Sequence, residues 1–371
     1  MTFESFEIFP SDEPPGGNLE TLLSHGKKWP LGGGNHRVLF SVERNTIKLE
    51  GNACPGDPSI QAKVNQEIEY TEAFLKAGLP ISITCYVGGT RCTKQAEMIS
   101  ALLKRNLGYA PLITPHITCN FSPEDTYEYL QALQSQGIDH LLCLSGDTLD
   151  SSFKAFTRDS RLRKAPQLVN MVRLVGLKGK ANGLGKNHFE TTEPTVAYSP
   201  FNGANPLTEQ RKFDEKLCAG ARSVKTQPVT YADSALINRD LTFLSSRIPE
   251  SRIGFSVIYY QSVPMAENIE TKFRIKVPQE VLNRLRYQEW AGKSDGTSKA
   301  RVLTEGLRIA AQSIAYLIYS GVQNVNIMGV RKPRTFEKLL ECVPGYVEAY
   351  AGQSSVAQDH QTGKELAAVN M

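Results

Sequence analysis

Along the chain an amphipathic helical pattern, a glycine and a short, almost continuously apolar run recur in that order. The unit reads EYTEAFLKAG-LPISIT, then YEYLQALQSQG-IDHLLCLSG, then FDEKLCAG-ARSVKTQ, and finally SIAYLIYSG-VQNVNIMGV. Each helical part ends at a glycine, Gly78, Gly137, Gly220 or Gly321, where a left-handed cap is needed. The runs that follow are strand-length, as expected of parallel strands covered on both faces. Ser122-Pro-Glu-Asp125 ahead of the second helix has capping-box spacing. Eight strand candidates emerge: RVLFSVE (37–43), ISITCY (81–86), LITPHIT (112–118), HLLCLSG (140–146), TVAYS (195–199), SVKTQPV (223–229), IGFSVIYY (253–260) and NVNIMGV (324–330). Helices alternating with buried strands predict an α/β chain with a parallel sheet, and eight strands close a single (β/α)8 TIM barrel. A doubly wound open sheet is the alternative, but no Gly-x-Gly-x-x-Gly follows the first strand.

Three segments fall outside this repeat. Residues 1–36, rich in Pro and Gly, read as an N-terminal extension, residues 37–350 as the barrel domain, and residues 351–371 as a flexible polar tail. Residues 148–194, after the fourth strand, read as an insertion with a basic helix and the loop GLKGKANGLGK. A length of 371 residues suits one such barrel.

Composition narrows the function classes. The net charge is +4 and no Lys/Arg stripe forms, which argues against a nucleic-acid partner. No apolar run is long enough to cross a bilayer, and the start, MTFESFEIFP, lacks the basic and apolar segments of a signal peptide. The seven cysteines are scattered, without Cys-x-x-Cys, and read as reduced thiols of a cytoplasmic protein. KANGLGKN (180–187) fails as a phosphate loop, since Lys180 stands where its first glycine belongs. The six histidines are dispersed, and no metal-ligand spacing occurs.

In a TIM barrel, chemistry sits at the C-terminal ends of the strands. Those ends carry Glu43, Thr84, His116 and Thr118, Ser145-Gly146-Asp147, Tyr198, and Thr226-Gln227. Singly, each is ordinary; an apolar core has no use for two carboxylates, an imidazole and an amide on one rim.

PHITC (115–119), HLLCLSGD (140–147), VAYSP (196–200) and KLCAGARSVKTQ (216–227) resemble the methylenetetrahydrofolate reductase family, as does EGLRIAAQSIAYLIYSGVQNVNIMGV (305–330). The resemblance covers about residues 37–345 and marks the chain as a divergent member. It implies FAD as cofactor, NAD(P)H as co-substrate, and reduction of 5,10-methylenetetrahydrofolate to 5-methyltetrahydrofolate, a step of one-carbon metabolism and methionine biosynthesis. It assigns Thr84, His116, Ser145, Gly146, Asp147, Tyr198 and Lys216 to the flavin, Gln227 and Asp147 to the folate, and Asp147 to catalysis beside a first-strand glutamate. A homo-oligomer is left open. Departures fall at the cofactor's phosphate and adenine end: Ser145 and Glu215 stand where the family has arginine, and the histidine after strand five is replaced in SPFNGANP. These keep two alternatives open, a flavin-free or repurposed one-carbon enzyme and a non-catalytic folate-binding or assembly subunit.

Two residues compete for the first-strand acid. SFEIFP at 5–10 resembles the family's first strand and offers Glu7. The interval from Glu7 to Thr84, however, also holds RVLFSVE, which would make a ninth strand. Strand number and shear are linked in a closed barrel, so spacing favours Glu43.

Overall fold

The computed structural model describes residues 29–31, 34–36, 38–44, 58–84, 86–87, 90–91, 95–119, 123–138, 140–145, 164–181, 193–199, 206–273 and 275–369. Glu7, Gly146, Asp147, the capping-box residue Ser122 and most of the 148–194 insertion lie outside them, as do Cys54, Cys85 and Cys92.

Eight parallel strands close a barrel: β1 (Leu39–Arg44), β2 (Ile81–Ile83), β3 (Ile113–Thr118), β4 (His140–Leu144), β5 (Glu193–Tyr198), β6 (Ser223–Pro228), β7 (Ile253–Ile258) and β8 (Asn324–Met328). Each pairs with its neighbours in sequence, and β8 returns to β1 through Asn326↔Ser41 and Ile327↔Val42. The eight predicted strands are these eight. Leu39–Arg44 fills the first position, between β8 and β2.

The helices wrap the outside: α1 (Pro58–Lys76), α2 (Gln95–Arg105), α3 (Pro123–Ser135), α4 (Ala165–Ala181), α5 (Pro206–Cys218), α6 (Ser234–Ser245), α7 (Val263–Phe273), α8 (Gln279–Ala291), α9 (Ser298–Tyr319) and α10 (Pro333–Val369). In α1 the buried residues Ile60, Val64, Ile68, Thr71 and Leu75 fall three to four apart, one stripe against the barrel. The four glycines named above carry φ of +75°, +76°, +109° and +87°. Each ends its helix with the same pair of bonds; at Gly78 its N–H donates to Leu75 O and the Leu79 N–H to Phe74 O, a Schellman cap. The chain is thereby turned from helix to strand in one residue, which places β2, β4, β6 and β8 alike.

One expectation needs correction. GLKGKANGLGK is not loop throughout, because α4 runs to Ala181. Its buried stripe of Leu168, Val172 and Val175 carries the helix into a glycine-bearing segment whose propensity alone favours a loop. Between β7 and β8 the chain makes three helices, α7, α8 and α9, and Ile258, Val281 and Val302 help bury a second apolar cluster there. The last helix, α10, packs on α9. A two-stranded ribbon, Trp29–Leu31 with Gly34–His36, precedes the barrel inside the predicted extension.

Candidate active site

Strand alternation decides what the lumen contains. On β1, Phe40, Val42 and Arg44 turn outward into the helix layer, where Phe40 meets Phe336 of α10 edge to face at 6.5 Å. Ser41 and Glu43 therefore face the lumen. Register carries the same parity round the ring: Glu43↔Ser82↔Thr114, His116↔Leu142↔Thr195↔Ser223, and Lys225↔Gly254↔Asn324. The lumen is thus more polar than the usual barrel interior of bulky branched side chains.

The cluster is centred on Glu43. Its side chain is 12% exposed, and its Oε2 lies 3.8 Å from Nε2 of His116, itself 6% exposed. Desolvation raises the Glu43 carboxyl to about 7, against the opposing pull of Lys225 and a hydrogen bond with Asn326. Burial first, and then the Lys225 charge, hold His116 down at about 3, so its imidazole is neutral and the contact with Glu43 is not an ion pair. His116 Nε2 is buried with no hydrogen-bond partner. Arg44 Nε, Asp240 Oδ2, Ser245 Oγ and Glu337 Oε1 are likewise unpartnered, but the His116 atom is the one that lies beside Glu43, and there it is a place for a ligand group. Nor is Glu43 a rim carboxylate paired with Arg44. Arg44 points the other way, donating to Glu67 of α1 at 2.5 Å and to the carbonyls of Val330 and Arg331 at 3.0 and 2.6 Å.

Beneath Glu43 runs a network that sequence reasoning missed. Lys225 Nζ donates to Ser82 Oγ at 2.5 Å and to Asn326 Oδ1 at 3.3 Å. The same Oδ1 accepts from Ser41 Oγ at 2.9 Å, and Asn326 Nδ2 donates to Ser256 Oγ at 3.3 Å. The signal lay in the alternation: Lys225 shares a face with Gln227, and Asn326 sits mid-strand in NVNIMGV, where an amide is unusual. Gln95 of α2 was also missed. Its amide donates to the carbonyls of Ile83 and His116 at 2.7 and 3.1 Å, stapling β2 to β3 at the mouth.

The other predicted residues divide. Thr84 is buried directly after β2, and Thr118 closes β3. Gln227 reaches the rim of β6, where its Oε1 accepts a hydrogen bond from Ser199 Oγ and leaves its NH2 group to donate. Exposed Ser145 follows β4, its Oγ accepting from the Ala165 N–H at the start of α4 at 3.3 Å. Tyr198 is not brought to this group. It shares parity with Val196, so its ring faces the helix layer between Phe213 and Phe243, and its hydroxyl donates to buried Asp240 at 3.2 Å. Lys216 Nζ, on the last turn of α5, donates to Ala197 O at 2.5 Å and ties that helix to β5. For a flavin the fit is therefore uneven. His116 offers an unpartnered buried nitrogen at the mouth, whereas Tyr198 and Lys216 are engaged in holding the barrel together.

Among the described residues no cluster of three metal-ligating side chains occurs, and no helix is long and apolar enough to cross a membrane. Cys119, Cys143, Cys218 and Cys342 are free thiols.

No curated protein matches the chain. Among solved structures, an uncharacterized protein from Clostridium thermocellum that binds two copies of 5-methyl-5,6,7,8-tetrahydrofolic acid is similar, with a TM-score of 0.53 at 12% identity over 89% of this chain and 99% of that one. A native KDPGal structure reaches a TM-score of only 0.36 at 13% identity, over 85% and 96% of the two chains. A family model, Methylenetetrahydrofolate reductase, matches residues 61–344. That span begins inside α1, so it leaves Glu43 to geometry but takes in His116, Lys225 and Gln227. Matched over well more than half its length, the chain belongs to the methylenetetrahydrofolate reductase family.

Proposed function

We propose that this protein is a flavin-dependent reductase of a folate-bound one-carbon unit, taking 5,10-methylenetetrahydrofolate to 5-methyltetrahydrofolate with NAD(P)H as reductant. The observation that carries the reading is the Glu43 carboxyl, desolvated at the barrel mouth so that it keeps its proton to about pH 7. Family membership and the folate bound by the Clostridium thermocellum protein support it.

The substrate's five-membered ring opens before its one-carbon unit can accept hydride, and the departing nitrogen needs a proton. A carboxylic acid that titrates near neutrality serves that step best. Glu43 is such a group, and the neutral His116 beside it supplies no competing charge. Ring opening leaves an iminium cation, and Asp147, assigned by the resemblance, would stabilise it electrostatically. Gln227 offers its free NH2 group to the carbonyl of a pterin. His116 and Thr84 would hold FAD, which when bound supplies hydride that NAD(P)H replenishes.

A second reading follows from Tyr198 and Lys216. Both are committed to Asp240 and to the β5 backbone, which favours a flavin-free one-carbon enzyme or a folate-binding subunit over a full FAD site. Purified protein titrated with FAD, and assayed for NAD(P)H oxidation with and without folate, separates the three. A flavin spectrum with folate-dependent turnover supports the reductase. A protein that stays colourless after FAD is added, yet turns over, is the flavin-free enzyme; folate binding without turnover is the subunit.

A further inference from the structure

Lys225 has a position that the reaction above does not use. It is the third residue of β6, with Val224 and Thr226 facing outward on either side, so its side chain enters the lumen. In the closed ring β6 stands four strands from β2, directly across the barrel. The four-carbon stem crosses that space and delivers the ammonium to Ser82 Oγ on β2, at 2.5 Å. Ser82 is the register partner of Glu43, and Asn326, the second acceptor of Lys225, also hydrogen-bonds Glu43. The cation is thus anchored at two points, both adjoining the carboxyl.

Among the described residues, the surroundings of Glu43 contain little else that is charged. Facing Glu43 from β3 is neutral His116; β2, β7 and β8 contribute Ser82, Ser256 and Asn326, and β5 contributes Thr195. Lys225 is the charge that acts on both Glu43 and His116. A lumen lysine loses hydration that an aliphatic side chain would not, and as a filler of space it has no advantage over Leu or Met. Such a placement is characteristic of groups that set the charge state of a neighbour.

We propose that Lys225 is a positioning residue for Glu43: its ammonium, braced on Ser82 and Asn326, determines how readily the acid releases its proton and so the pH range of the site. The inference rests on the reading of Glu43 as the acid. It also accounts for how an acid so thoroughly desolvated still ionises near neutrality. Without the cation the carboxyl would hold its proton to higher pH and would release it more reluctantly.

The test is the titration of Glu43 itself, followed by its carboxyl infrared band in the full chain, with Glu43→Gln identifying the band, in wild type and in Lys225→Met. Turnover is recorded over the same pH series. Removing this opposite charge is expected to move the Glu43 midpoint upward by roughly 1–3 pH units, and the alkaline limb of turnover with it. Lys225→Gln serves as a second variant with a polar replacement, and the same upward movement is expected. A midpoint unchanged in both variants overturns the role of Lys225, whatever the activity. A midpoint that moves while the turnover limb stays fixed instead removes Glu43 as the acid.

Discussion

Glu43 ionises where it does because burial and a nearby cation oppose each other, and burial prevails. The sign is definite. A donor must be protonated, so turnover is expected to be sustained below about pH 7 and to fall as pH rises through it. A rate profile that instead climbs across this range contradicts the assignment. Linkage runs in the same direction: the folded state holds this proton more tightly than the unfolded chain. The stability it contributes is present in full below the ordinary value of 4.5 and is lost as pH rises through about 7. Tyr198 makes the opposite case. Its hydroxyl is held by Asp240, so Tyr198→Phe is expected to lower stability by about 1 kcal/mol in urea unfolding while leaving folate affinity unchanged. At this scale the sequence revealed residues at strand ends, such as Glu43, His116 and Gln227, because position along a strand is legible. Which face a residue takes was readable only by applying the parity of its neighbours. Lys225 pairs with Gln227 by that rule, and Tyr198 pairs with Val196.

The elements are fixed by patterns that act locally. Cap glycines and apolar runs located all eight strands, since each Schellman turn needs only its own residues. The long-range ties between elements were not legible. Arg44 on β1 and Glu67 on α1 form a buried ion pair that exposed Arg331 after β8 joins from the surface, and nothing in the spacing of 44, 67 and 331 announces it. Arg44 is 2% exposed, so Glu67→Ala would strand a buried guanidinium; a loss of about 3–5 kcal/mol in denaturant unfolding is expected. Close approach is equally hidden. A Cβ on Gly306 of α9 would lie 1.8 Å from the Tyr260 carbonyl oxygen, so the helix touches the segment after β7 backbone to backbone. Gly306→Ala is expected to destabilise by on the order of 3 kcal/mol, seen as a lowered midpoint in the same assay. A variant as stable as wild type shows that α9 can shift away from β7.

For the whole molecule, closure does the selecting. The ring of eight strands takes Leu39–Arg44 as its first, the segment that spacing favoured over SFEIFP. Closure also gathers residues nearly two hundred positions apart, Glu43 on β1 and Lys225 on β6, around one lumen. The recurring unit predicted that ring, but the polar network inside it arises only once the strands are in register. The central claim is that Glu43 donates the proton that opens the folate ring. The measurement that bears on it most directly is the turnover of Glu43→Gln at matched folate occupancy, beside wild type at pH 7. A fall of about 10²–10⁴-fold with folate affinity nearly unchanged is predicted; turnover equal to wild type would contradict the account.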